Sequence, residues 1–426
     1  MPALRPTLGV LGLTFYGVGM IVGAGVYSVI GAAAELAGNA VWLSFTLGAT
    51  VALLTALSYA ELSTMFPHAG AEYVYVKAAF PRAGPLPFLL GVVLTLAGAA
   101  TAATVALAFA GYLSAWVAVP PILAALALIV ALTGINLLGL QVGSKVNVAF
   151  TLLEVGGLVA FIALGAAQPE FGRGMLEIPP EGMMAGAALL FFAFLGFEDL
   201  VNLAEDAKNP VRDLPRAILV SVAVTTILYV GVGLAATSLL EPARLAASRA
   251  PLSSAAEVAS PALAKTLGVV ALFATANTAL IALLSTSRLV FGMGRDGAAP
   301  KALAAVRKKH GSPWFALTLL AAVAGALVPL GEVKIVGRLA SFAALLAFVA
   351  VNLCLIVLRY RQPARKRPFR VPLAIGRLPV LPALGLLSAG LLLFQFDAWS
   401  YVAGGGAIAL ALALYAARGS WRRRSP

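Results

Sequence analysis

Histidine, cysteine and charge are scarce in this chain of 426 residues. Its single cysteine, Cys354, excludes a disulfide framework. Its two histidines, His68 and His310, fall between apolar runs, which argues against a haem or a histidine-rich metal centre in a membrane. Charged residues make up 11% of the chain, against about 25% in an ordinary soluble protein. We therefore expect no metal site and no cofactor, and not a soluble globular fold.

The sequence also contains no GxxxxGK[ST] motif and no polar stretch long enough for a soluble ATP-binding domain. Its loops offer no convincing pair of nucleophile and base. These absences argue against an ATP-driven machine and against an enzyme with a nucleophilic active site.

Apolar residues fill the chain instead, at 61% of the sequence. Apolar runs of 18 or more residues recur along it, and about 20 such residues cross a bilayer. We predict an all-α polytopic membrane protein with about twelve transmembrane helices, at 8–33, 41–65, 86–110, 120–139, 146–166, 183–204, 214–239, 265–291, 314–331, 336–358, 374–394 and 400–417.

The basic residues lie in the short loops between these spans. With the N-terminus inside, 24 of the 30 Lys and Arg residues fall on the cytoplasmic side. This distribution predicts a multi-pass protein of the cell membrane with both termini cytoplasmic. It also accounts for the net charge of +13 through contacts with membrane lipid, without a nucleic-acid partner.

The first span is dense in glycine, in the stretch TFYGVGMIVGAGVYSVIG from Thr14 to Gly31. Gly17, Gly19, Gly23 and Gly25 lie within nine residues of one another. Each glycine inside a helix costs roughly 1 kcal/mol relative to alanine. A broken helix at membrane depth is tolerated only where it is buried in protein or lines a watery cavity. The stretch therefore predicts a helix break that binds a small polar solute.

A second interruption lies in the sixth span, in LLFFAFLGFEDLVNLA from Leu189 to Ala204, where Gly196 precedes Glu198 and Asp199. Breaks in the first and sixth spans predict two five-helix repeats, the second inverted, with the solute between the broken helices. We expect a first repeat over 1–170, a second over 171–360, and two peripheral helices with a basic cytoplasmic tail over 361–426.

Five stretches carry a family resemblance in order and spacing: GMIVGAGVY at 19–27, YAELSTMFPHAGAEYVYVKAAF at 59–80, KVNVAFTLLEVGG at 145–157, FFAFLGFEDLVNLAEDAKNPVRDLPRAI at 191–218 and STSRLVFGMGRDGAAPKALAAV at 285–306. Through them the chain resembles permeases of the amino acid–polyamine–organocation (APC) superfamily, in the amino acid permease branch. The resemblance implies the leucine-transporter fold, with ten core helices in two inverted repeats plus two peripheral helices.

The predicted substrate site lies where the two broken helices meet. The half-helix that begins near Gly25 offers N–H groups and a positive dipole end to a carboxylate. Carbonyls of the sixth span near Phe191 to Phe194 can accept hydrogen bonds from an ammonium group. By resemblance, Phe192 holds the place of an aromatic gate. The candidate substrate-binding residues are Ile21, Gly23, Ala24, Gly25, Phe191, Phe192, Ala193, Phe194 and Gly196.

Candidate ion-coupling residues are Glu154, Glu198, Ser285 and Thr286. Glu154 stands where several proton-coupled relatives carry a lysine, so the lysine mechanism does not transfer. It could take up a proton, hold a cation with the hydroxyls of Ser285 and Thr286, or be a structural carboxyl. Glu198 could be a protonated latch, a partner for a basic substrate, or an acceptor that caps the broken helix.

The sequence therefore predicts a secondary active transporter of amino acids that works by alternating access. An ion or solute gradient would have to supply the energy, so a proton or a sodium ion is the expected coupling ion. A polytopic membrane enzyme is a weaker interpretation than a transporter, and a channel is a third alternative. Small and aromatic residues in the pocket, such as Ala193, Phe194 and Ala282, favour neutral, apolar substrates. Exchange of cationic amino acids or amines is the alternative, because Glu198 and Asp199 lie near the pocket. Ion pairs across the inner gate are expected between residues such as Glu61 or Asp206 and an arginine.

Overall fold

This computed structural model describes residues 6–114, 116–172, 175, 180–248, 250–307, 311–330, 333–394, 396 and 398–423. The α-helices of these residues are α1 Val10–Val22, α2 Ala24–Ala37, α3 Val41–Met65, α4 Ala71–Ala79, α5 Leu86–Leu113, α6 Pro121–Leu137, α7 Leu140–Ala166, α8 Pro180–Phe191, α9 Pro210–Leu239, α10 Pro242–Ala247, α11 Pro251–Ala259, α12 Pro261–Arg295, α13 Trp314–Leu327, α14 Val333–Arg361, α15 Val380–Leu393 and α16 Ala398–Arg423.

Short 3₁₀ helices and one hairpin complete the described structure. The 3₁₀ segments are Gly38–Ala40, Phe192–Phe194, Phe197–Asp206, Lys301–Ala304 and Val328–Leu330, and the hairpin pairs β1 Ala374–Ile375 with β2 Leu378–Pro379. Proline opens many of the helices, where its missing N–H is not needed. At the start of α12, the Ser260 hydroxyl also accepts a hydrogen bond from the Leu263 N–H at 3.3 Å.

The helices follow the predicted apolar spans closely. In the described residues, eight helical stretches are long and apolar enough to cross a membrane. Four shorter apolar helices lie in the fourth, sixth, ninth and eleventh predicted spans, at Pro121–Leu137, Gly182–Phe191, Trp314–Leu330 and Val380–Leu393. The protein is a mostly helical, multi-pass membrane protein. The count of twelve spans and the inverted repeat stay predictions.

The first span breaks at a single residue. α1 continues through Gly17 and Gly19 to Val22, and only Gly23 leaves the helical conformation, with φ −41° and ψ −142°. Gly17 and Gly19 allow close packing of α1 against its neighbours instead. A Cβ at Gly17 would strike Ser221 and Leu200, and one at Gly19 would strike Thr151 and Asn277.

The sixth span leaves the α-helical path over a longer stretch. α8 ends at Phe191, and a 3₁₀ turn follows. Gly196 then takes φ +123°, in a region that favours glycine, before the second 3₁₀ segment begins at Phe197. The chain therefore crosses this depth as an α-helix on one side of Gly196 and as a 3₁₀ helix on the other.

The predicted eleventh span is wrong at its start. We expected an apolar helix from residue 374, but residues 374–379 form the hairpin, and α15 begins at Val380. Gly376 turns the hairpin with φ +62°, and the prolines at 372 and 379 cannot donate backbone hydrogen bonds to a helix.

The bundle is built around α12. Every residue of this helix from Ala274 to Gly294 is buried. α5 and α7 pack along it, α3 packs along α9, and α1 contacts α7, α9 and α12. The break at Gly23 therefore lies inside the bundle, while the start of α1 is exposed at Leu11.

Candidate functional site

The two helix breaks meet inside the bundle, at a place we call the junction, formed by Ile21, Gly23, Gly25, Ala193 and Gly196. A Cβ on Gly25 would lie 3.1 Å from the Cα of Ala193. The two backbone segments can therefore approach closely because residue 25 is glycine. Likewise, a Cβ on Gly196 would lie 3.2 Å from the backbone carbonyl carbon of Met20. The predicted encounter of the two breaks is present in the structure.

Tyr229 of α9 connects the two sides of the junction. Its hydroxyl lies 2.5 Å from the carbonyl oxygen of Ile21 and 3.1 Å from that of Ala193. One hydroxyl proton therefore serves carbonyls from both broken helices. Tyr229 is fully buried, and its ring packs at an angle against Phe45 and edge-on against Phe194, at centroid distances of 5.2 and 5.1 Å. Nothing in the sequence around Tyr229 marked it as a site residue.

A polar cluster borders the first break on its other side. It consists of Asn147 and Thr151 of α7 and Asn277 of α12, and all three are buried. The Asn277 amide donates to the Thr151 hydroxyl at 3.1 Å, and the Thr151 hydroxyl lies 3.4 Å from the carbonyl oxygen of Phe15. Gly19 of α1 faces this cluster. The sequence analysis identified neither Asn147 nor Thr151 as a site residue, and their i, i+4 spacing on one helix face was the available signal.

Glu154 lies on α7, three residues beyond Thr151, and is fully buried. Among the described residues, neither of its carboxylate oxygens has a well-formed hydrogen bond. Asn277 is a polar neighbour, and Tyr27 and Tyr229 lie within electrostatic range. Ionisable residues inside a membrane are costly and mark proton or ion pathways.

The hydroxyls expected beside Glu154 point elsewhere. Ser285 donates to the carboxylate of Asp199 at 2.8 Å. Thr286 lies against Gly98 of α5, where a Cβ would strike its side chain. Neither hydroxyl pairs with Glu154 in this conformation.

Glu198 caps the second break. Its Oε2 accepts a hydrogen bond from the Gly196 N–H at 2.8 Å. This contact corresponds to the third role expected for Glu198, an acceptor that caps the broken helix. With Asp199 bonded to Ser285, both acidic residues of the sixth span already have hydrogen-bond donors.

The predicted aromatic residues of the sixth span pack into the core. Phe194 packs edge-on against Tyr229. Phe191 packs edge-on against Phe348, with 5.8 Å between the ring centroids. Both are buried. The side chains of Phe192 and Ala24 lie outside the described residues, so the aromatic gate stays a prediction.

Buried ion pairs join the segments at one end of the bundle. Arg288 of α12 binds Asp206 with an N–O distance of 2.9 Å, and the two side chains are 1% and 2% exposed. Arg295 binds Glu205 through both of its terminal nitrogens. The N-terminal segment adds backbone bonds from Thr7 and Leu8 to the Asp206 carbonyl, both at 2.9 Å. The expected pairing of Asp206 with an arginine is thus present.

A second buried network lies nearby. Glu61 of α3 binds the guanidinium groups of Arg359 and Arg367, and it accepts a hydrogen bond from the Val371 N–H at 2.7 Å. It therefore ties the ends of α3 and α14 to the loop that follows. The sequence suggested a partner of this type for Glu61 but could not identify which arginine.

Glu72 at the start of α4 is another buried acid at this end. It is 2% exposed, and burial raises the pKa of its carboxyl to about 8. Its neighbours include the side chains of Asp199, Tyr59 and Asn202.

Two broken helices that meet inside an apolar helical bundle define a membrane transporter rather than an enzyme. The family comparison agrees: the amino acid permease family profile matches residues 8–408, and the chain belongs to this family, within the APC superfamily.

Individual relatives align along most of the chain. The branched-chain amino acid permease BcaP of Bacillus subtilis is 31% identical over 413 residues, covering 90% of this chain and 87% of the permease. A methylthioribose transporter of the same species is 29% identical, covering 92% of this chain and 88% of the transporter. The vacuolar cationic amino acid transporter 4 of Arabidopsis thaliana is 30% identical, covering 84% of this chain and 64% of that protein.

Proposed function

We propose that this protein is a secondary active transporter that carries neutral, apolar amino acids across the cell membrane by alternating access. The observation that carries the proposal is the junction, where Tyr229 holds carbonyls of both broken helices. Such carbonyls can accept hydrogen bonds from a substrate ammonium. The beginning of α2 at Ala24 supplies a positive dipole end for the substrate carboxylate.

The preference for neutral substrates follows from what surrounds the junction. The carboxylates of Glu198 and Asp199 are engaged by the Gly196 N–H and the Ser285 hydroxyl. The Thr278 hydroxyl faces Gly23, and aliphatic or aromatic side chains, including Ile21, Phe194 and Ala193, make up much of the remaining surroundings. The names of two relatives, permeases of branched-chain amino acids in Bacillus subtilis and Lactococcus lactis, support the same choice.

Exchange of cationic amino acids or amines is the second candidate. Two acidic side chains lie beside Gly196, and either could turn to a cationic substrate if its present hydrogen bond opened. Relatives named as cationic amino acid transporters in Arabidopsis thaliana support this alternative.

We assign the coupling step to Glu154. Its carboxylate is fully buried, has no well-formed hydrogen bond among the described residues, and has Asn277 of the polar cluster as a neighbour and Tyr229 within electrostatic range. A proton or a sodium ion bound there would neutralise it beside the first break. The oxygen atoms of Asn277 and Thr151 replace Ser285 and Thr286 as its proposed companions.

The orientation follows from the basic loops. We place both termini in the cytoplasm, so the ion pairs of Asp206 and Glu205 close the cytoplasmic end. The junction would then open towards the outside first.

Counterflow in proteoliposomes tests the transport proposal. Vesicles loaded with unlabelled leucine should accumulate labelled leucine, isoleucine or valine, while lysine, putrescine and methylthioribose should compete weakly. Strong competition by lysine would favour the cationic alternative. Failure of every amino acid to exchange would reject amino acid transport. Empty vesicles and vesicles loaded with lysine serve as controls.

A further inference from the structure

The loop between α14 and α15, residues 362–379, together with the end of α14 forms a strongly basic surface, which we call the basic loop. From 359 to 377 the chain carries no Asp or Glu and seven cationic residues: Arg359, Arg361, Arg365, Lys366, Arg367, Arg370 and Arg377. Among the ion pairs of the described residues, these cations pair with Glu61 alone. A single carboxylate leaves most of this positive charge uncompensated.

One buried donor in this surface has no acceptor. Arg359 is 4% exposed, and its Nε and Nη2 bind Glu61, while Nη2 also reaches the Val371 carbonyl at 3.1 Å. Its Nη1 has no hydrogen-bond partner among the described residues. Leaving a buried charged donor unsatisfied is costly, and an oxyanion is the acceptor that a guanidinium matches best.

The hairpin beside these cations exposes apolar side chains. Leu373 is 66% exposed and Ile375 is 75% exposed. Leu373 also takes φ +59°, a conformation that leucine rarely adopts. Neither residue gains burial within the chain. Because the loop connects two apolar helices, we infer that both residues face the membrane surface, where apolar side chains enter the boundary between headgroups and acyl chains.

We propose that the basic loop binds the phosphate of an anionic phospholipid, with Arg359, Lys366 and Arg370 around the headgroup and Leu373 and Ile375 in the acyl-chain boundary. A soluble phosphate would use the cations but not the apolar tip, so the lipid explains both features. Because Glu61 connects Arg359 to the end of α3, the bound lipid would also fasten α3 to α14.

Basic residues that only set the orientation of a membrane protein need to be exposed, and they require no folded binding site. The basic loop differs, because its arginines are folded onto neighbouring segments. Arg365 donates to the Met65 carbonyl at 3.0 Å and stacks on the Phe66 ring, with its guanidinium 4.0 Å from the ring centroid. These contacts hold the Arg365 guanidinium against the end of α3, whose Glu61 binds Arg359.

Native mass spectrometry of the purified full chain, titrated with phosphatidylglycerol or phosphatidylcholine, tests the site without reference to the transported solute. We expect selective retention of phosphatidylglycerol. The variant Lys366→Gln/Arg370→Gln should lose about 5-fold in affinity for each cation removed, or about 25-fold together. The matched control Arg212→Gln/Arg216→Gln removes two exposed cations elsewhere on the same predicted face and should retain the wild-type affinity.

Three outcomes would overturn the proposal. Equal retention of the two lipids would show that no anion site exists. An equal loss in the Arg212/Arg216 control would show a general surface field instead of a site. Displacement of phosphatidylglycerol by inorganic phosphate at equal concentration would assign the cations to a soluble anion. If the first variant fails to fold, Leu373→Ser/Ile375→Ser provides a second test, because weaker phosphatidylglycerol retention is expected there and unchanged retention would reject the lipid contact.

Discussion

The hydroxyl of Tyr229 lies 2.5 Å from the carbonyl oxygen of Ile21, at the point where the first membrane helix breaks. The same hydroxyl reaches Ala193 in the second broken segment. A residue from a third helix therefore holds the two breaks together, and the carbonyls it contacts are those that we propose as acceptors for a substrate ammonium.

Replacing Tyr229 with phenylalanine should destabilise the junction. The ring would stay, but two buried carbonyls would lose their donor, at a cost of about 1–3 kcal/mol. We expect a lower melting temperature and slower exchange of labelled leucine. Tyr401→Phe is the control, because that hydroxyl also donates to a carbonyl, of Leu393 at 2.7 Å, but at an exposed position. Wild-type melting and exchange in Tyr229→Phe would show that the contact has no such role.

Replacing Glu154 with glutamine should abolish the dependence of uptake on a proton or sodium gradient. The amide keeps the size of the side chain but can neither release a proton nor neutralise a cation. Counterflow, which needs no gradient, should survive. The measurement compares uptake with and without an imposed gradient, and Glu170→Gln, at an exposed glutamate, is the control. Gradient-driven uptake that is unchanged in Glu154→Gln would exclude both coupling roles.

The stability of the folded protein should fall as the pH rises from about 5 to about 8. Glu72 has its pKa raised by burial from the usual 4.5 to about 8, so in this range the folded state keeps a proton that the unfolded state has lost. The stabilisation is fully present below pH 4.5 and is lost as the pH passes the folded value.

The variant Glu72→Gln should remove this part of the pH dependence, because an amide stays neutral throughout. Melting temperatures measured across the range in one detergent would show it. Glu257→Gln, at an exposed position, should retain the wild-type profile. A profile in Glu72→Gln with the same slope as the wild type would contradict the assignment.

The Arg288–Asp206 pair should be costly to break from one side only. Arg288→Met alone leaves a buried carboxylate and should cost about 3–5 kcal/mol of unfolding free energy. The double variant Arg288→Met/Asp206→Leu should recover much of that loss. Lys77→Met offers the comparison, because its pair with Asp296 is 52% and 37% exposed and should contribute about 0–1 kcal/mol. Equal losses of unfolding free energy in Arg288→Met and in the double variant would mean that the unpaired charge of Asp206 is not what destabilises Arg288→Met.

The long helices could be predicted from the sequence because an apolar run of sufficient length decides them locally. The second span, predicted at 41–65, coincides with α3. The two breaks were also visible, since glycine and acidic residues inside apolar runs conflict with a continuous membrane helix. The hairpin at 374–379 could not be predicted from the length of the apolar run, because Gly376 and the prolines at 372 and 379 end the helical conformation locally.

The sequence by itself determined that the chain is a polytopic membrane protein, that it has two interrupted helices, and that it resembles amino acid permeases. Only the tertiary structure decided that Gly23 breaks the first helix while Gly17 and Gly19 serve packing. It likewise decided that Ser285 binds Asp199, that Tyr229 joins the breaks, and that Asp206 pairs with Arg288. These contacts join residues far apart in the chain, and their identity depends on how neighbouring helices rotate and slide against one another, which no local pattern of hydrophobicity or charge specifies.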